Sequence, residues 1–480
     1  MTERSPAPAA SAVPRPVTQK PEFWVLLGYA VVLGVFGALA ALIFVGAIAF
    51  GGRWYSDADP GWFGGHWWWV AVAAAAGVVV GLVRRLTRLP WKTPGLFDDL
   101  QSQHVDTRLV PGIAAVSLVS LIGGAGLGPE KALGAMGGGV GTWTAGRGRL
   151  EAEDAQVNTL AGFAGAYGGL FSSPVIVVML IMEIARPGGQ RFAKALAAQI
   201  VASSVSFGIY FAIAGAVFLD YYSVPQYAFE DWHLLAAIPL GLLAALMVTL
   251  LAGFTAAAAR LFERLRVPDI AKPTLGGVIF GVIGVALPLT LFNGGDQLKV
   301  VLGDAGAMSL GLLIATLVGR MLTFAVSQGS GFVGGPIFPS LFVGGTAGVI
   351  VHHVLPGVPL GLAFACLLAA VPGALATAPF AMVLMAAFLT QLGALETAPV
   401  LIAVITAFLA MEGVKYVLTG RRRAEPAAAI PAARDVRHTE DEGTGGNHGV
   451  SGTTGRATRG PARGASSGAR PDAPEAGLHR

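Results

Sequence analysis

Apolar residues run almost without interruption over positions 23–50, long enough to cross a bilayer as a helix. A second apolar run, over 67–83, predicts another crossing, with Trp67, Trp68 and Trp69 at one edge, where interfacial aromatics sit. Arg84, Arg85, Arg88 and Lys92 follow at once and assign that end to the cytoplasm. Two long hydrophobic blocks come next, over 109–218 and 234–418. Neither divides into clean spans of about 20 residues. Glycine and proline interrupt them at 123–141, at 329–348, at Pro174 and at Pro379. Irregular backbone at membrane depth persists only where it is buried in protein or lines an aqueous cavity. Short, broken apolar segments therefore point to a transport site.

The two ends of the chain differ from this pattern. Residues 1–20 are polar and Pro/Ala-rich, with Arg4, Arg15 and Lys20, and are expected to form a disordered cytoplasmic tail. The run at 23–50 is too long for a cleaved secretory signal and is expected to be a retained helix. Arg421, Arg422 and Arg423 close the membrane part, and 421–480 reads as a second disordered cytoplasmic tail. The expected organisation is a membrane domain over 21–420 containing two repeats, about 90–220 and 234–418. Cytoplasmic termini would require an even number of full crossings.

Composition agrees. The chain is 54% hydrophobic and only 12% charged, against about 25% charged in a soluble domain. Its net charge of +4 lies in tails and short loops, where it orients a membrane protein and does not mark a nucleic-acid binder. The single cysteine, Cys366, cannot form an internal disulfide and reads as a small buried hydrophobe. No pattern calls for a metal or a cofactor.

The blocks resemble each other. Gly128-Pro129-Glu130-Lys131-Ala132, followed by Gly137, Gly138 and Gly141, matches Gly335-Pro336-Ile337-Phe338-Pro339, followed by Gly344, Gly345 and Gly348, at an offset of 207. Ser172-Ser173-Pro174 matches Thr377-Ala378-Pro379 at an offset of 205. Close helix packing accounts for some of this glycine, but not for prolines placed just before apolar runs. A Gly/Pro loop opening a helix leaves free N–H groups and the positive end of the dipole aimed at one spot, which suits an anion. Repeats that present broken helices near the bilayer midplane are a transporter architecture.

Glu130 is the leading functional residue, because an ionisable group in an apolar, glycine-rich membrane segment is expensive. Its carboxylate can occupy the anion seat itself, and protonation would release it. Lys131 either draws anions into a vestibule or snorkels to headgroups. Glu183 precedes Ile184-Ala185-Arg186-Pro187 and reads either as a partner of Arg186 or as a candidate proton relay. Arg320, mid-span, requires a partner or an interior position. An intramembrane enzyme finds little support: His352 and His353 are adjacent, and Gly329-Ser330-Gly331 has no identifiable base.

At these residues the chain resembles the CLC chloride channel and antiporter family, over roughly positions 20–418. Leu127-Gly128-Pro129-Glu130 is similar to the signature loop whose glutamate plugs the outer pore. The stretch from Arg320 through Gly331 and Gly335-Pro336-Ile337-Phe338-Pro339 to Gly348 is similar to a second signature, and Ser173-Pro174 with Glu183, Arg186 and Pro187 to a third. The resemblance implies an all-α polytopic membrane protein, an inverted repeat of tilted and broken helices, forming a homodimer with one pore per subunit. It implies chloride, or another small anion, at helix N-termini, with Gly128, Pro129, Lys131, Gly335, Pro336, Ile337 and Phe338 as the anion-binding set. The chain departs from the family in several places. Lys131-Ala132 replaces Gly-Pro after the glutamate. Pro90-Trp91-Lys92-Thr93-Pro94-Gly95 replaces an early Ser-Gly-x-Pro loop, with Trp91 at the serine and Thr93 as the substitute hydroxyl. Ile337 stands where the family has an aromatic, and the helix bearing the family's central tyrosine is truncated, leaving Tyr416. The inner proton-transfer glutamate of family antiporters would fall at Ile184. The implied function is a glutamate-gated, voltage-gated chloride channel-like pore in the cell's inner (plasma) membrane. A chloride/proton antiporter, with Glu130 and Glu183 as carriers, and a fluoride exporter are the alternatives.

Overall fold

The structure, a computed structural model, describes residues 17–58, 66–215 and 221–424. Of the expected tails at 1–20 and 421–480, residues 1–16 and 425–480 lie outside the described residues, while Val17–Gln19 form a 3-10 turn and 421–424 end the last helix. Secondary structure is helical throughout, with sixteen α-helices among the described residues. Eight precede residue 216: α1 (Pro21–Ala58), α2 (Trp68–Leu86), α3 (Leu96–Ser102), α4 (Val110–Ile122), α5 (Glu130–Arg147), α6 (Ala152–Leu170), α7 (Pro174–Ala185) and α8 (Gln190–Ala214). Eight follow: α9 (Trp232–Arg264), α10 (Ala271–Ala286), α11 (Gly295–Gly303), α12 (Leu310–Gly329), α13 (Ile337–Val354), α14 (Leu360–Ala376), α15 (Pro379–Thr390) and α16 (Ala394–Ala424). Among the described residues, seven stretches are long and apolar enough to cross a membrane, and five further apolar helices are shorter, at 10–17 residues. The protein is a multi-pass membrane protein built from an inverted repeat of whole and broken helices.

The helix starts fall where the prolines are. Pro129 precedes α5 and Pro336 precedes α13, and both helices have 18 residues. Pro174 opens α7 and Pro379 opens α15, each of 12 residues, with proline at N1 where its missing N–H costs nothing. Ser173 adds a cap, its Oγ accepting from the Ile176 amide at 3.4 Å.

Two helices buried on almost every side, α6 from Val157 onward and α14, lie in the centre of the fold. They approach α5 and α13 so closely that a Cβ on Gly137 would strike the Gly162 carbonyl and one on Gly344 the Leu367 carbonyl. These two glycines differ by the same 207 positions. Small residues thus let the α5–α6 and α13–α14 pairs pack backbone to backbone, as membrane interfaces do. That packing fixes the starts of α5 and α13 deep in the protein.

Candidate functional site

The loops before α5 and α13 meet at the centre. The Gly128 amide donates to the Gly335 carbonyl at 2.9 Å, and the Gly335 amide donates back to Gly128 at 2.7 Å. Exchange of both bonds is an antiparallel pair, here between equivalent residues of the two halves, as a local two-fold axis requires. A second reciprocal pair supports the loops. The Gly126 amide donates to Ser327 Oγ at 3.3 Å, and the Val333 amide donates to Ser120 Oγ at 3.2 Å. Serines 120 and 327, like positions 126 and 333, are repeat partners.

Glu130 breaks this symmetry. It is the first residue of α5 and is wholly buried. Its carboxylate reaches the start of α13, where the Ile337 amide donates to Oε1 at 2.6 Å. The amides of Phe338 and of Glu130 itself also face the carboxylate. The first amides of a helix lack intrahelical acceptors, and Pro336, the residue before α13, supplies no side-chain cap. The carboxylate fills that role, favoured by the helix dipole. Position 337 is the repeat partner of position 130, and Ile337 has no carboxylate to return.

The backbone carbonyl of Glu130 is held by Tyr167, whose hydroxyl donates to it at 2.9 Å. The Tyr167 ring meets Phe171, which stacks on Phe338 with centroids 6.0 Å apart and planes 11° from parallel. Tyr167 and Phe171 had no signal in the sequence; they lie in the apolar C-terminal half of α6 and just after it, where an aromatic reads as core.

A cavity lies on each side of Glu130. One, of about 690 Å³, is lined by Trp91, Thr93, Lys131, Gly334 and Pro336 and lies toward the end of α2. The other, of about 520 Å³, is lined by Pro129, Phe338, Tyr221 and Asp296 and lies against the C-terminal part of α1. Residues 129 and 338 therefore face one cavity and 131 and 336 the other, with 130 and 337 buried between them.

The model of the family described as Voltage gated chloride channel matches residues 92–412. The chain belongs to this family. Among relatives with names, a protein with a provisional ion-transport assignment, YfeO of Escherichia coli (strain SMS-3-5 / SECEC), is 26% identical over 302 residues, 60% of this chain and 69% of that one. Its namesake in Salmonella choleraesuis (strain SC-B67) is 26% identical over 303 residues, 60% and 70% of the two chains. Among solved structures, a slow cyanobacterial Cl-/H+ antiporter superposes with a TM-score of 0.70 at 22% identity, over 84% of this chain and 98% of that one. A CLC-type fluoride/proton antiporter gives 0.69 at 19% identity, over 82% and 96%. At these identities the likeness concerns the fold.

Several residues of this CLC family member stand elsewhere than the sequence suggested. Glu183 does not pair its carboxylate with Arg186. Its two oxygens accept from the Phe380 and Ala381 amides, both at 2.9 Å, and so cap α15 of the other half. Arg186 Nε donates only to the Glu183 backbone carbonyl, at 3.1 Å. Lys131 does not snorkel to headgroups; it is buried, lines the larger cavity and donates to the Pro94 carbonyl. Arg320, fully buried, takes no carboxylate. It donates to the carbonyls of Thr290, Leu291, Phe292 and Asn293 at 2.9, 3.1, 2.7 and 2.5 Å, pinning the segment before α11.

Tyr416 is 81% exposed near the end of α16 and does not join the other candidates. Arg84, read from sequence as an orienting charge, is buried; it donates to the carbonyls of Gly331, Pro90 and Trp91 at 2.9, 2.6 and 3.0 Å. It thereby ties the early loop of one half to the second signature of the other. Trp91 sits between two cations, 5.2 Å from the Arg84 guanidinium and 4.8 Å from Lys272 Nζ, with its ring edge against Gly331. Glycine is needed at 331, where φ is +99°. Cys366 is buried and free. His352 Nδ1 meets the Val358 carbonyl at 2.7 Å. Among the described residues no three His, Cys, Asp or Glu side chains are grouped to hold a metal.

Proposed function

We propose that this protein conducts small anions, chloride first among them, along the two cavities and past Glu130. The observation that supports this reading is the Glu130 carboxylate on the Ile337 amide, buried between two cavities. A carboxylate and a halide want the same donors. While Glu130 is ionised it holds the seat and closes the path. Protonation removes its charge, frees the Ile337 and Phe338 amides, and opens the path to an anion. Lys131, facing the cavity beside Glu130, raises the local anion concentration, and the half-buried Thr93 offers a hydroxyl to the same cavity. The Tyr167 hydroxyl holds the backbone of Glu130 and leaves its carboxylate free to move. By charge distribution the larger cavity faces the cytoplasm and the smaller one faces outward. The protein would work in the inner (plasma) membrane as a homodimer with one path per chain.

We read the transport as free of obligatory proton movement, a reading supported by the Glu183 carboxylate, which accepts from the α15 amides. A proton-coupled exchanger is the second reading, favoured by the half-buried position of that same carboxylate at the α7–α15 contact. A chloride gradient imposed on reconstituted vesicles tests both: chloride efflux with no uphill proton movement supports the first, and proton pumping the second. Running the assay with fluoride tests the choice of ion.

A further inference from the structure

A second basic cavity, of about 580 Å³, lies between the end of α2 and the start of α10, outside the path past Glu130. Arg84, Arg85 and Arg88 line one wall and Pro268, Asp269 and Ile270 the other. The walls are held together by a close crossing, in which a Cβ on Gly81 would come within 2.7 Å of Ile270 Cα. Arg84 is occupied by its three carbonyls, and the one carboxylate in the lining, Asp269, acts on Arg84. Arg85 and Arg88 differ: among the described residues their guanidinium groups have no hydrogen bond or ion pair, although both line the cavity. Arg88 sits in the left-handed region, φ +52°, at the turn that ends α2, a conformation that glycine takes at least cost.

Surface arginines at a helix end need no ligand to be stable, since the dipole favours them. A cavity of this size with two unopposed guanidinium groups on its wall is a different matter. Guanidinium forks match phosphate oxygens in pairs, and basic recesses between helices at a cytoplasmic membrane face bind lipid headgroups. We propose that this cavity binds a phosphate group, carried by an anionic lipid or free in solution, through Arg85 and Arg88. The Trp91 carbonyl on Arg84 and the Trp91 ring between the cavities would make the bound phosphate a tie between α2, the early loop and α10.

Thermal unfolding of the full chain in detergent tests this without recourse to transport. The wild type and R85Q/R88Q are compared with phosphatidylcholine, with phosphatidylglycerol, and with inorganic phosphate at matched ionic strength. The proposal expects phosphatidylglycerol or phosphate to raise the wild-type midpoint by about 3 °C more than that of the variant, relative to phosphatidylcholine. An effect of phosphatidylglycerol alone identifies a lipid headgroup, and an effect of inorganic phosphate alone identifies the free ion. Equal shifts in wild type and variant, or no shift with either ligand, would overturn the proposal.

Discussion

The carboxylate of Glu130 accepts a 2.6 Å hydrogen bond from the amide of Ile337, the residue that occupies its own position in the other half of the repeat. The loops around that bond are paired. Gly128 and Gly335 exchange two bonds, and Ser120 and Ser327 each hold the other half's loop. A two-fold scaffold offers two equivalent helix starts, and one glutamate spans from one to the other. The repeat supplies the donors, and the departure from repeat supplies the carboxylate that we propose as the gate.

If the carboxylate stands in for an anion, removing it should expose the donors. Crystals of Glu130→Ala grown in bromide should show the ion at the Ile337 and Phe338 amides. Bromide found only beside Lys131 or Arg320 would count against a seat shared by carboxylate and anion.

Glu183 should act on stability more than on transport. Glu183→Ala leaves the Phe380 and Ala381 amides without an acceptor and should cost about 1–2 kcal/mol, the usual loss for a helix cap. Glu183→Gln keeps one acceptor and should cost less. Chloride flux per folded molecule should stay within about twofold of wild type for both, a change under about 0.5 kcal/mol. Proton pumping in the wild type, abolished by Glu183→Gln with chloride flux spared, would instead make this residue a relay.

How much of this was readable in the residues follows from the range of each interaction. Helix starts after Pro129, Pro336 and Ser173 and at Pro379 are local matters of ring geometry and missing N–H groups, and all four lie where the sequence put them. The repeat offset carries further: it aligns Gly128 with Gly335 and makes both loops candidate anion donors, but the Gly128–Gly335 pairing and the reach of Glu130 to the α13 start are visible only in the fold. Glu183 is different, because its acceptor role depends on an α7–α15 contact 197 residues away, while Arg186 lies three residues on and suggests a pairing that the helix geometry does not deliver. Arg84 was hidden for a similar reason. Three arginines after an apolar run read as a membrane-edge signal, and nothing local separates the one that turns inward to Gly331. Tyr416 answers to the family's central tyrosine only because the end of the chain is shortened, and the exposed face of α16 leaves it outside.

Arg320 should be a structural residue. Arg320→Met strips four buried carbonyls of a charged donor and should destabilise the protein by on the order of 3 kcal/mol. Loss of monodisperse protein on size-exclusion chromatography, and a lowered unfolding midpoint, are the expected signs. The milder Arg320→Lys, which retains the charge but loses the planar fork, should also lower the midpoint and leave halide selectivity as in the wild type. A stable Arg320→Lys with altered selectivity would mean that the guanidinium contacts the ion.

The central claim, that Glu130 closes the path when ionised and opens it when protonated, is tested by chloride efflux from vesicles between pH 4.5 and 7.5. In the wild type, flux should rise as the pH falls, because acid favours the neutral side chain that leaves the Ile337 amide. In Glu130→Gln, which cannot titrate, flux should be independent of pH and at least equal to the acid-activated wild-type rate. A Glu130→Gln protein that is folded and still activated by acid, or folded and unable to pass chloride at any pH, would contradict the account.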